Sequence, residues 1–240
     1  MFGVPGLRFR QKNVRHQTPN LEQFMTITAF LFDLDGVLVD TARFHYQAWR
    51  QLANELGFDI SEEFNETLKG ISRMESLDLI LAQANLILPD DRKLQLAAQK
   101  NEWYLELVHR MTPGDILPGV PEFFAQVRQA RLKTALGSVS KNAGLILERV
   151  GMSDAFDALI DGNKITRSKP DPEVFLTGAA ELNVQPDDCV VFEDAVAGIE
   201  AAKRAGMRAV GIGSPELLTR ADLVVPGFET LTVAQVLAMQ

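Results

Sequence analysis

The chain has 240 residues, 46% of them hydrophobic, with a single cysteine and a formal net charge of -8. This composition suits one large domain, or a domain with an insertion, around a buried core; it excludes a disulfide framework and a multi-cysteine metal site. No apolar run reaches the roughly 18 residues of a membrane span and there is no signal-peptide pattern, so a cytoplasmic protein with no membrane partner is expected.

Residues 1–24 hold Arg8, Arg10, Lys12 and Arg15 against Glu22 alone, which leaves the rest of the chain more acidic than the whole and poorly matched to nucleic acid. This basic stretch has neither strand alternation nor a helical stripe and is read as a disordered extension, with a transit peptide as the other reading. Met25 stands directly before the first apolar run and is a candidate natural start. From Ile27 the run "ITAFLF" has almost no polar alternation, as expected of a strand buried on both faces of a parallel sheet. Residues 41–112 then show helical periodicity, with Phe44, Ala48, Leu52 and Leu56 on one stripe and "ESLDLILAQANL" on another, and are expected to form an inserted helical cap. Beyond them β-type runs (132–138, 187–194, 207–213 and 221–225) alternate with helical patterns (121–131, 142–150, 172–182 and 195–205). The whole reads as a doubly wound parallel α/β core, residues 25–40 and 113–240, interrupted by the cap. Cys189, in "DDCVVF", is expected to be a buried strand residue.

The chemistry gathers at the strand ends. Asp33 ends the first run and Asp35 follows in a turn, where Gly36 supplies backbone freedom. Neighbouring acids repel, and they persist together when a cation, a proton or a hydrogen-bond network compensates. A second pair, Glu193 and Asp194, also ends a strand run before a helix. In open parallel sheets ligands sit beyond the carboxyl ends of the strands, so the four carboxylates are expected to converge. An all-oxygen donor set without His or Cys suits a hard cation, and Mg²⁺ is the expected cofactor. Ser138 and Lys169 lie at corresponding strand ends or loops; a hydroxyl, an ammonium and a metal ion together make a receptor for a phosphoryl group.

The order "FDLDGVLVD", "GS" after a strand, "SKPDPEVF" and "FEDAVAGIEAAKRAG" closely resembles the haloacid dehalogenase superfamily of phosphotransferases, over residues 25–240. The resemblance implies a Rossmann-like core in which Asp33 is the nucleophile that becomes an aspartyl phosphate and Asp35 is the general acid/base. It implies that Ser138 and Lys169 hold the phosphoryl oxygens. It also implies a metal site made of Asp33, Asp194 and the backbone carbonyl of Asp35, with Glu193 in the same network.

Within the cap, "FHYQAW", "LKGISRMES" and "AAQKNEWY", and in the core "SVSKN", resemble the β-phosphoglucomutase subgroup, which interconverts β-glucose 1-phosphate and glucose 6-phosphate through a sugar bisphosphate. Gly137, where alanine is expected, and the N-terminal segment depart from the subgroup pattern. A bisphosphate bound in two orientations needs a second phosphate site, for which Arg73 with Ser140, Lys141 and Asn142 is the candidate, arginine suiting two-point phosphate recognition. His45 is expected to meet the substrate or Asp35, and Lys69 to join cap to core, with Lys69 and Gly70 both counted among the substrate-binding residues. Lys100 is expected in the sugar pocket, with Ser76 among the substrate residues; Trp49 belongs to that pocket or to its helix's apolar face. The expected partner is a small sugar phosphate and the expected state a monomer. A sugar-phosphate phosphatase on the same scaffold, or a non-catalytic phosphate- or metal-binding domain, are the other readings.

Overall fold

A computed structural model describes residues 27–239; the proposed extension, residues 1–24, and the candidate start Met25 lie outside them. Six parallel strands form one sheet, β1 (Ala29–Phe32), β2 (Lys133–Gly137), β3 (Ala158–Ile160), β4 (Cys189–Glu193), β5 (Arg208–Ile212) and β6 (Leu223–Val225), in the order β3-β2-β1-β4-β5-β6. The chain runs outward from β1 to β3, then returns to the far side of β1 and continues through β6. That reversal puts the carboxyl end of β1 between those of β2 and β4, the place where such sheets bind ligands.

All four residues of β1 are buried. Alternation along the strands divides them between two cores. Phe30 and Phe32 join Leu136, Val190, Phe192, Val210 and Ile212 on one face, while Ala29 and Leu31 join Ala135, Cys189, Val191 and Ala209 on the other. The first face is aromatic: Phe32 stacks on Phe192 at 4.6 Å, and Phe30 on Phe123 of α5 (Val120–Gln129) at 6.0 Å. The second is lined with small residues, which lets α7 (Glu173–Leu182) pack close to the sheet. A Cβ on Gly137 would stand 3.0 Å from the Phe175 ring of that helix, so the departure from alanine there has a packing cause.

Between β1 and α5 lie α1 (Ala42–Glu55), α2 (Glu62–Glu66), α3 (Arg73–Gln83) and α4 (Asp90–Val108). They enclose a third cluster containing Trp49, Leu52, Ala53, Leu77, Ile80 and Leu96. The stripe read from sequence is only partly interior, since Ala48 and Leu52 are buried whereas Phe44 and Leu56 are half-buried. The remaining helices, α6 (Ala143–Val150), α8 (Val196–Arg204) and α9 (Val233–Leu237), cover the core. Two elements were not read from the sequence: β3 has only three residues and α9 only five, too few for either period to register. Among the described residues no helix is long and apolar enough to cross a membrane.

Truncating Phe192 removes a ring that touches Phe30, Phe32, Phe123 and Phe228. Phe192→Ala is expected to cost about 3–5 kcal/mol in urea unfolding, and Ile87→Ala, at a position 96% exposed, less than about 0.5 kcal/mol.

Candidate active site

The backbone pairing places Phe32 beside Leu136 and Phe192, so the residues that leave these strands emerge side by side. Asp33 follows β1, its amide donating to the Phe192 carbonyl at 3.0 Å. Glu193 ends β4 and Asp194 begins the turn into α8. Ser138 follows β2 and is 1% exposed; its hydroxyl oxygen accepts from the Ser140 amide at 3.1 Å.

Lys169 comes from the segment between β3 and α7 and is buried. Its ammonium lies 2.5 Å from both Asp33 Oδ1 and Glu193 Oε1, and 4.9 Å from the centre of the Phe175 ring. Burial alone pulls its pKa down, but Asp33 and Glu193 more than reverse this and hold the ammonium charged. The other Glu193 oxygen accepts from the Ala195 amide at 2.9 Å. Lys69, in the cap, donates to Asp194 Oδ2 at 3.0 Å and also pairs with Glu66 at 2.9 Å. One ammonium from the core and one from the cap thus offset the acidic group.

Ligand atoms of Asp33, Glu193 and Asp194 lie within 4.8 Å of one another, a donor set of carboxylate oxygens that fits a hard divalent cation. Burial raises Glu193 to about 8, with Lys169 opposing and Asp33 adding to the rise. Burial likewise raises Asp194 to about 6, opposed by Lys69 and reinforced by Asp33. Gly36 makes this packing feasible: it has φ +80°, and a Cβ there would fall 2.2 Å from Asp194 Oδ2.

Asp35 keeps its carboxylate apart from this trio. It accepts a short hydrogen bond from the Thr41 hydroxyl, and His45 Nε2 stands 3.7 Å away. Burial, then the charge of Asp33, pushes its pKa up to about 7. His45 Nδ1 is 2.9 Å from Lys100 Nζ. If Lys100 donates, Nδ1 must accept, which leaves the proton of a neutral imidazole on Nε2, facing Asp35. Burial, followed by the charge of Lys100, keeps His45 neutral by lowering its pKa. Lys100 is buried too, 4.5 Å from the Trp49 ring and 4.8 Å from the Tyr104 ring; burial and then Arg73 pull its pKa well down.

These groups share a cavity of ≈ 890 Å³ between the core and the helices inserted after β1. Asp33, Asp35 and Asp194 line its floor, and His45, Trp49, Lys69, Gly70, Arg73, Ser76 and Lys100 line it from the cap. Ser140, Lys141 and Asn142 close one side. Ser138, Lys169 and Glu193 stand behind that lining, Lys169 in contact with Asp33. Trp49 satisfies both of its readings, reaching the cavity while 2% exposed in the cap core.

Residues 27–206 match the family model for haloacid dehalogenase-like hydrolases. The chain belongs to that family. It is 44% identical to the β-phosphoglucomutase of Bacillus subtilis strain 168, covering 85% of this chain and 92% of the relative. It is 31% identical to a phosphorylated carbohydrates phosphatase of Thermotoga maritima, over 76% of this chain and 83% of that one. Among solved structures, a β-phosphoglucomutase from Clostridium difficile superimposes with a TM-score of 0.85 at 46% identity, covering 88% of this chain and 95% of that one. The resemblance read from the motifs is borne out. Haloacid dehalogenase-like enzymes generally use a divalent metal, in keeping with the acidic group described above.

Sequence reasoning missed several residues at this family site. Thr41 donates to Asp35, Tyr104 lays its ring 4.1 Å from that of His45, and Asn101 accepts from the Asn142 side chain at 3.0 Å. Tyr104 had a usable signal: it lies four residues after Lys100 on α4 and so shares its face. Asn101 and Thr41 had none beyond adjacency to Lys100 and Asp40.

The Gly36 contact is testable with a matched control. Gly57 also has positive φ, +91°, but a Cβ there would meet nothing within 4 Å. Gly36→Ala is expected to weaken divalent-cation affinity, read by calorimetry, by about tenfold or more, whereas Gly57→Ala carries similar backbone strain and leaves affinity within about twofold. Equal affinities in the two variants would contradict the packing argument.

Proposed function

We propose that this chain is a Mg²⁺-dependent β-phosphoglucomutase, converting β-glucose 1-phosphate to glucose 6-phosphate through an aspartyl phosphate and a sugar bisphosphate. The observation that carries the reading is one cavity lined both by Asp33 and by Arg73, Ser140, Lys141 and Asn142, which supports two phosphate-binding ends. Asp33, Ser138 and Lys169 form the reacting end; Arg73, with Ser140, Lys141 and Asn142, forms the distal one. The two β-phosphoglucomutases of similar sequence support the choice of substrate.

In the first half-reaction Asp35 takes the proton of the sugar 6-hydroxyl as that oxygen attacks the phosphorus carried on Asp33, and the bond from phosphorus to the Asp33 oxygen breaks. The bisphosphate then binds in the opposite orientation. Asp33 attacks the 1-phosphate, the bond to the sugar O1 breaks, and Asp35 returns its proton to O1. Both steps use one carboxylate as nucleophile and the other as proton carrier. The rise of Asp35 to about 7 suits a group that must both give and take a proton near neutrality. Thr41 and the Nε2 side of His45 hold that carboxylate, and Lys169 and Ser138 hold the phosphoryl oxygens. Asp33, Asp194 and the Asp35 backbone carbonyl, with Glu193 close by, would hold Mg²⁺, which neutralises charge on the transferring group. The cap shields the aspartyl phosphate from water until a sugar takes the phosphoryl group. With a single cysteine the chain needs no internal disulfide, which supports a cytoplasmic setting.

Phosphorus NMR of wild-type enzyme given β-glucose 1-phosphate, Mg²⁺ and catalytic bisphosphate is expected to show glucose 6-phosphate with little inorganic phosphate. Predominant inorganic phosphate would favour a phosphatase. Arg73→Ala is expected to lower mutase kcat/KM roughly 10- to 150-fold while slowing phosphorylation by acetyl phosphate much less, because only the sugar bisphosphate needs the distal end. Equal losses would make Arg73 a general support of the fold.

The raised carboxyl groups also give the metal a pH dependence. Asp35, Asp194 and Glu193 have folded pKa values above their unfolded ones, so ionising them costs the metal-free protein stability as pH rises from about 4 to about 8. Mg²⁺ requires the ionised forms of Asp194 and Glu193, the two raised carboxyl groups in the acidic cluster. The rise in melting temperature on adding Mg²⁺ to chelator-treated protein is therefore expected to be larger at about pH 8 than at about pH 5.5. A larger rise at the lower pH would contradict the assignment of these ligands.

A further inference from the structure

Ser168 immediately precedes Lys169, and Glu75 follows Arg73 by two positions. The Ser168 hydroxyl donates to Glu75 Oε2, a bond between core and cap across 93 positions of sequence. Each partner is braced on its own side. The same Glu75 oxygen accepts from the Ser72 amide at 3.0 Å and the Ser72 hydroxyl at 2.6 Å, while the Glu75 amide donates to Ser72 Oγ. These contacts form the capping box that starts α3 at Arg73. In the core, the Glu173 carboxylate accepts from the Thr166 amide at 3.2 Å, the Thr166 hydroxyl at 3.1 Å and the Arg167 amide at 2.7 Å. The chain leading into Ser168 and Lys169 is thereby fixed to the first turn of α7. One braced element carries the lysine that contacts the nucleophile; the other carries the arginine of the distal end.

We propose that the Glu75–Ser168 bond sets the separation of the two phosphate-binding ends, making both side chains positioning residues for a substrate with two phosphates. The proposal rests on the reading of Arg73 as the distal phosphate group. Neither residue touches the reacting atoms; each acts through its neighbour, Ser168 through Lys169 and Glu75 through Arg73. Loss of the bond leaves both ends intact and lets the distance between them vary. A ligand that spans them then binds less tightly, and a ligand at one end does not.

The test is calorimetric binding of glucose 1,6-bisphosphate and of inorganic phosphate, with Mg²⁺, to the full chain carrying Asp33→Asn so that no transfer occurs. Ser168→Ala is expected to weaken the bisphosphate about five- to tenfold and inorganic phosphate less than about twofold. Ser168→Thr keeps the donor and is expected to restore bisphosphate affinity. Glu75→Gln keeps an acceptor for the capping box; combined with Ser168→Ala it is expected to be no weaker than Ser168→Ala alone. Losses that multiply, or that strike both ligands equally, would overturn the proposal. Arg73→Ala, measured alongside, separates the two levels of inference. Unchanged bisphosphate affinity there sinks both the distal-site reading and the positioning role; a loss there with unchanged affinity in Ser168→Ala sinks the positioning role alone.

Discussion

The Lys169 ammonium, 2.5 Å from Asp33 and 2.5 Å from Glu193, is the contact on which the site depends. Three carboxylates brought within 4.8 Å in a buried setting repel strongly. An isolated buried charge is expensive, and a buried ion pair is tolerated when further hydrogen bonds complete its coordination. Here those bonds come from the Ala195 amide to Glu193 and from Lys69 to Asp194. The arrangement joins the ends of β1 and β4, the segment before α7 and the cap in one electrostatic unit. It therefore forms only when the parallel sheet has brought these segments together, which ties the chemistry to the tertiary fold.

The same sheet explains why two neighbouring aspartates are suited to different tasks. Asp33 faces an ammonium. Asp35, after the sharp turn at Gly36, faces a hydroxyl and a neutral imidazole, and burial with the nearby Asp33 charge raises it to about 7. A carboxylate engaged by a fixed cation suits nucleophilic attack on an anionic phosphoryl group; one poised near neutrality suits proton transfer. The cap contributes groups beside both sets of carboxylates, Lys69 at Asp194 and His45, backed by Lys100, at Asp35. Lys100, in the cap interior, contacts aromatic rings and an imidazole, so burial pulls its pKa down.

Much of this was legible in the sequence because local rules and the fold agree. The unbroken apolar run before Asp33 could be a doubly buried strand, and it is; the glycine after Asp35 announced a turn that no Cβ could enter. The alternation of strands and helices after residue 113 implied a parallel sheet, and the carboxyl ends of its strands were where the acids were expected to meet. The three-residue β3 was not legible, because "ALI" fits a strand or a helix equally. Contacts between segments far apart in sequence also left no local trace. Ser168 to Glu75 and Asn142 to Asn101 depend on how the cap is set over the core, and the pull of Phe175 on Gly137 depends on how α7 approaches the sheet. Trp49 shows the limit of a single-role reading, since it belongs to the cap core and also borders the cavity.

In the proposed mechanism the lysine-bridged carboxylate at the tip of β1 receives the phosphoryl group. Peptide mass spectrometry of protein treated with acetyl phosphate and Mg²⁺, quenched in acid, locates that group directly. The expected result is a phosphorylated peptide with the modification on Asp33. Phosphate on Asp35 or Ser138 instead, or no phosphoenzyme from wild-type protein, would contradict it.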